Sequence, residues 1–143
     1  MFSLFVQEND RRRWVWSYAY DGLGNMIRQT DARGQRTCLY YDALNRLTEK
    51  RVDDQNGALL ASFTYDQSSA ANLGVGRRTG MSDASGSTAW TYDARGRVIH
   101  ERKHVLDGTI DLGTYNTYWT YFSNDSVRQM VYPNQEAVTY DYD

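Results

Sequence analysis

The dipeptide Tyr-Asp recurs in register along this 143-residue chain. Copies stand at Tyr20-Asp21, Tyr41-Asp42, Tyr65-Asp66, Tyr92-Asp93 and Tyr140-Asp141, with Tyr121-Phe122 as a close relative. Successive tyrosines lie 21, 24, 27, 29 and 19 residues apart. A repeat of this period constrains the fold more than any local pattern, because each unit buries its apolar face only against its neighbours.

Around each copy the sequence alternates with a period of two. Two residues before the Tyr stand Tyr18, Leu39, Phe63, Trp90, Trp119 and Val138, all apolar or aromatic, while the intervening position is usually Thr. Residues two apart share one face of a strand, so the Tyr and the residue two before it form a bulky face that is expected to be packed. After the Tyr comes a turn. Asp21 to Gly24, Asp42 to Asn45 and Asp93 to Gly96 place Asp first and Gly or Asn fourth. Asp at the first position bonds the amides ahead of it, and Gly or Asn at the fourth accepts positive φ. A half-repeat carries the same pattern without the Tyr, at Asp31 to Gly34 and Asp83 to Gly86. The unit is therefore strand, turn, strand, turn, which suits short antiparallel strands.

Strands are predicted over 14–20, 25–30, 36–41, 46–52, 58–65, 76–82, 87–92, 97–105, 114–121, 126–132 and 136–142. Residues 68–76 and 107–113 read as insertions between strands, and Pro133 falls in a turn where a missing amide is harmless. Residues 1–13 read as a non-repeat N-terminal segment and 14–143 as a hairpin array cut short at its C-terminus. No segment shows a helical apolar stripe.

The bulk numbers agree with a strand-rich domain: 12 tyrosines, a single proline and a net charge of −2. That balance gives no basic groove for nucleic acid. Nor is there an apolar run of the ~20 residues that a spanning helix needs. The opening Met1 to Val6 is too short for a secretory signal. Arg11, Arg12 and Arg13 read as a solvated basic run. The lone Cys38 occupies a small-residue position and reads as a buried structural thiol.

The sequence Tyr92-Asp93-Ala94-Arg95-Gly96-Arg97-Val98 closely resembles the YD-repeat (Rhs repeat) family, as do residues 41–47 and 20–26. The resemblance covers 14–143 and weakens after residue 113, where Tyr121 lacks its Asp. It implies an all-β fold, an antiparallel β-hairpin array forming part of a spiral shell. In bacterial Rhs toxins and insecticidal toxin complexes such a shell encloses a toxic C-terminal domain; in teneurins it belongs to an adhesion receptor. The resemblance further implies a non-catalytic structural segment, partnered by further repeats and a C-terminal cargo domain, in a secreted or cell-surface bacterial protein. The Asp-Pro motifs of the core region that precedes the toxin have no counterpart here.

One motif argues otherwise. His100-Glu101-Arg102-Lys103-His104 reads H-E-x-x-H, which on a helix places two imidazoles on one zinc with the Glu as general base. The repeat register puts these residues on a strand instead. Positions four apart on a strand are separated by about 13 Å, too far for one metal. The turn aspartates, including Asp66 and Asp141, could suggest a calcium array, but their turn positions account for them. No cofactor, metal or catalytic set is therefore assigned. The remaining alternative is a carbohydrate- or cell-surface-binding module that uses Trp90 or Trp119.

Overall fold

The computed structural model describes residues 15–142, and residues 3–5 as backbone. The rest of the N-terminal segment, with the arginine run and Trp14, lies outside the described residues, as does Asp143. Every regular element among the described residues is a β-strand.

The chain divides into two compact units, Met1–Ser62 and Phe63–Asp143. In the first, β1 (Ser3–Phe5), β2 (Ser17–Tyr20), β3 (Met26–Thr30), β4 (Arg36–Tyr41) and β5 (Leu47–Val52) lie side by side in chain order. The opening residues of β6 (Leu59–Tyr65) complete this sheet by pairing with β5. All neighbours are antiparallel. The second unit holds a two-stranded piece, β7 (Ser68–Ser69) and β8 (Asn72–Leu73). It also holds β9 (Arg78–Asp83), β10 (Gly86–Tyr92), β11 (Val98–Asp107), β12 (Ile110–Tyr121), β13 (Val127–Val131) and β14 (Ala137–Thr139), again antiparallel in chain order.

Two regions depart from the sequence reading. Residues 107–113 are not an insertion. β11 and β12 run on to a tight turn in which Asp107 faces Ile110 and Gly108 takes φ 60°. A bulge between Val105 and Leu106 absorbs the extra residue. Residues 68–76 do interrupt the repeat, but they carry the small β7–β8 hairpin.

The connections explain why strands form where they do. Turns beginning at Asp21, Asp31, Asp42, Asp93, Phe122 and Tyr132 share one backbone pattern. The first residue's N–H donates to the carbonyl four residues on, and its own carbonyl accepts from the residue three on. The fourth residue has positive φ each time: Gly24 87°, Gly34 81°, Asn45 60°, Gly96 79°, Asp125 71° and Gln135 69°. This is a type I turn closed by a left-handed residue, a common hairpin connection. Where the Tyr precedes the turn, the strand register slips beside it, at Ala19/Tyr20, Tyr40/Tyr41, Thr91/Tyr92 and Thr120/Tyr121.

Asp83 differs from its predicted turn. Gly86 pairs directly with Asp83, so only Ala84 and Ser85 form the loop. Asp66 differs too: its N–H still bonds the Arg77 carbonyl at 3.1 Å, but the β7–β8 insertion lies inside the turn.

Little of either unit is buried. Among the described residues the buried apolar side chains are Ala19 and Leu39. The expected bulky face is real at Leu39 but only half-covered at Phe63, Trp90 and Trp119. Cys38 is half-buried rather than buried, and its Sγ donates to the Asp53 carbonyl at 2.9 Å.

Candidate functional site

The side chains that do the most bonding are those of the repeated turns. In the turns at Asp21, Asp31, Asp42 and Asp93, one carboxylate oxygen accepts the N–H groups two and four residues on, at 2.8–3.0 Å. The two turns without a leading Asp compensate from another position. Asn124 Oδ1 accepts Ser126 N–H at 3.2 Å, and Asn134 Oδ1 accepts Glu136 N–H at 3.1 Å. The backbone pattern thus persists when its usual acid is missing.

At Asn25, Arg77 and Arg97, the fifth residue of a turn links to the next Tyr-led turn of its unit. Asn25 donates to Asp21 at 2.9 Å and to Asn45 at 3.1 Å. Arg97 donates to Asp93 through Nε at 2.8 Å, and to Asp125 Oδ1 and the Phe122 carbonyl at 2.8 and 3.1 Å. Its guanidinium also lies 4.6 Å from the Tyr121 ring centroid. Arg77, the equivalent residue after the insertion, donates to the Gly96 carbonyl at 3.3 Å and stands over Tyr92. Arg46 pairs with Asp42 at 2.8 Å.

The tyrosines complete the link. Tyr41 Oη donates to the Met26 carbonyl at 2.9 Å, Tyr92 Oη to Arg78 and Tyr121 Oη to Val98, both at 2.6 Å. Each acceptor immediately follows the fifth residue of the preceding turn. Burial pushes the phenols of Tyr41, Tyr92 and Tyr121 upward, which keeps them protonated as donors. The Asn25 side-chain amide is the main cause holding Asp21 below the ordinary carboxylate value; for Asp42 it is the Arg46 N–H. At Asp93 burial acts upward but is outweighed by Arg97, so the net shift is again downward.

Tyr20 leads the first turn, and Tyr140 N–H donates to the Arg128 carbonyl at 3.0 Å. Asp141 follows β14 in an irregular segment. Asp66 accepts Gly76 N–H at 2.6 Å.

His100, Glu101 and His104 all lie on β11, not on a helix. His100 stacks on Tyr118, with centroids 4.4 Å apart and planes at 4°, and its Nε2 meets Asn116 Oδ1 at 2.9 Å. His104 Nε2 meets Asp111 Oδ1 at 2.9 Å. Glu101 accepts the Trp90 indole N–H at 2.8 Å. Strand geometry sets the two imidazoles about 13 Å apart along the backbone, and each has its own partner.

The sequence reading missed two kinds of residue. It gave the residue after the turn's Gly or Asn (Asn25, Arg46 or Arg97) no role. It also passed over Asn72 inside the insertion. Asn72 Oδ1 accepts Tyr92 N–H at 3.0 Å and its Nδ2 donates to the Trp90 carbonyl at 3.3 Å. One side-chain amide thus satisfies β10 beyond Ala89, where its register with β9 stops. Nothing local in the sequence marks Asn72, since its partners lie 18 and 20 positions away.

The family model described as RHS Repeat matches residues 6–37, 20–58 and 74–103, more than half of the chain. No curated protein matches in sequence. The crystal structure of TcdB2-TccC3-TEV superposes with a TM-score of 0.77 at 13% identity, covering 94% of this chain and 8% of that one. TcdB2-TccC3 without its hypervariable C-terminal region gives 0.76 at 13%, over 90% of this chain and 7% of that one. A Photorhabdus luminescens Tc holotoxin pore gives 0.61 at 20%, over 83% and 5%. The chain spans less than a tenth of these solved chains, and at such identities the likeness is one of fold.

Proposed function

The chain belongs to the RHS repeat family, and we propose that it is a non-catalytic wall segment of a larger shell that encloses or displays a toxin or another polypeptide. The observation that carries this reading is where the polar side chains are spent. Asp, Arg, Asn and Tyr of the repeat bond to their own turn and to the next one, rather than converging on a cleft. A wall needs repetition of this kind, and nearest-neighbour links are how repeat arrays hold together. Further repeats and a C-terminal cargo would be its partners within the parent protein, in a secreted or cell-surface setting.

The test is protease protection. In the full protein that carries this segment, an enclosed polypeptide is expected to resist added protease while the wall is intact, and to be cut when the wall is opened by denaturant. Digestion at the same rate with an intact wall would sink the enclosure. Stoichiometric, tight zinc binding lost on His100→Ala would instead revive a hydrolase.

A further inference from the structure

One face of β10, β11 and β12 carries a second cluster that the turn ladder does not use. The registers align Ala89, Arg102 and Asn116 in one row, and Ser87, His104 and Thr114 in the row beside it. Ser87, Ala89, Arg102, His104 and Thr114 line a shallow cavity of about 210 Å³.

Arg102 is the unusual member. The other arginines of this unit are all engaged. Arg77 bonds the Gly96 carbonyl, Arg78 stands over Phe63 and Trp90, Arg95 and Arg97 pair with Asp125, and Arg128 stands over Phe122. The Arg102 side chain is exposed and, among the described residues, makes no hydrogen bond, ion pair or ring contact beyond the strand ladder. A guanidinium offers five donors and no acceptor.

The groups around it are also donors. His100 holds Asn116 by its Oδ1, leaving that amide's N–H groups unspent. Ser87 and Thr114 add two hydroxyls that, among the described residues, no other group takes up. The acid beside the cavity, Asp111, already accepts from His104 and from Gly113 N–H at 2.9 and 2.8 Å. Ala89 opens the space with a methyl group in place of a longer side chain.

We infer that this cavity is an oxyanion site, in which the Arg102 fork and the Ser87 and Thr114 hydroxyls receive a sulfate, phosphate or carboxylate group. A guanidinium matches such groups with two parallel, charge-assisted hydrogen bonds. This assignment is independent of the wall reading: it rests on the cavity and its donors.

The experiment is an amide NMR titration of the 143-residue chain. Sulfate, phosphate and acetate are each added at constant ionic strength held with chloride. Saturable shifts are expected at Ser87, Arg102, His104 and Thr114. Arg102→Gln is expected to weaken binding by about tenfold or more, the loss of a charge-assisted hydrogen bond. Arg28→Gln, on a strand of the other unit, should leave it unchanged. Preference for acetate would identify a carboxylate side chain as the natural group; preference for sulfate or phosphate would identify a tetrahedral one. Shifts that never saturate, or equal weakening by Arg28→Gln, would overturn the site as mere screening of surface charge. Should Arg102→Gln fail to fold by circular dichroism, Thr114→Val and Ser87→Ala decide, and full affinity in both overturns it.

Discussion

A tyrosine, an aspartate and a left-handed residue each do a separable job in the repeat, and each can be tested alone. Tyr121→Phe keeps the ring under Arg97 but removes the bond to the Val98 carbonyl. The expected cost is about 0.5–1.5 kcal/mol, read by denaturant unfolding; no loss would show the hydroxyl to be idle. The left-handed position offers a matched pair. Gly34 and Gly96 have nearly the same φ, 81° and 79°, but a Cβ at Gly34 meets open space while one at Gly96 collides with the Arg77 guanidinium. Gly34→Val should therefore cost only the strained backbone, about 1–3 kcal/mol. Gly96→Val should cost more, because Arg77 must also leave Tyr92 and the Gly96 carbonyl. Equal losses would mean that the Arg77 link carries no stability. The aspartates set a pH dependence. Asp21, Asp42 and Asp93 are held below the ordinary value in the folded chain, so the unfolded chain binds more protons between the two values. Their contribution is complete above the unfolded value of about 3.9 and fades as pH falls through the lowered folded values. Thermal unfolding from pH 6 down to pH 2 checks this, and Asp42→Asn should flatten the acid limb. These carboxylates are half-buried at the surface, where water still screens them and keeps the effect small.

At the scale of the element, the insertion between β6 and β9 replaces a strand with a side chain. Asn72→Ala would leave Tyr92 N–H and the Trp90 carbonyl without their present partner. A cost of about 1–3 kcal/mol is expected, with faster amide exchange at Tyr92; unchanged exchange at Tyr92 would show that water replaces the amide at no cost. This contrast also marks what the sequence could and could not reveal. Turns at Asp21, Asp42 and Asp93 were legible because the chemistry that closes them is local: carboxylate, amides and a left-handed residue all fall within five positions. The turns at Phe122 and Tyr132 were not legible by the same rule, because Asn124 and Asn134 do the bonding from a different position. The long β11–β12 hairpin was misread as an insertion because its glycines, Gly108 and Gly113, look like loop punctuation. One forms the tip and the other lies beside a bulge within a continuous pair. The role of Arg97 lies between these cases. Its position beside the turn was visible, but its partner Asp125 stands 28 residues away, and no local rule spans that distance.

For the whole molecule, the decisive quantity is the small amount of apolar surface that is hidden. A sheet ordinarily gains its stability by covering a face with another layer. Here Ala19 and Leu39 are the buried apolar side chains among the described residues, while Leu23, Leu44, Val75 and Ile110 stand 75%, 70%, 65% and 61% exposed. Leu23 and Leu44 hold the third position of two Tyr-Asp turns that Asn25 and Asn45 join, so both stand exposed at linked turn tips. In a longer array such surface is available to neighbouring segments or to cargo; alone, it faces water. The isolated chain is therefore expected to bind the dye ANS under native conditions and to self-associate as its concentration rises, as exposed apolar surface tends to do. Leu23→Ser with Leu44→Ser should weaken that association without loss of strand content, because both side chains are mostly exposed. Sedimentation velocity and circular dichroism read the two effects separately. A chain that stays monomeric and silent to ANS would count against an incomplete surface. If the double substitution unfolded the chain, the two leucines would have to be packed in solution, and their place at exposed turn tips would be wrong.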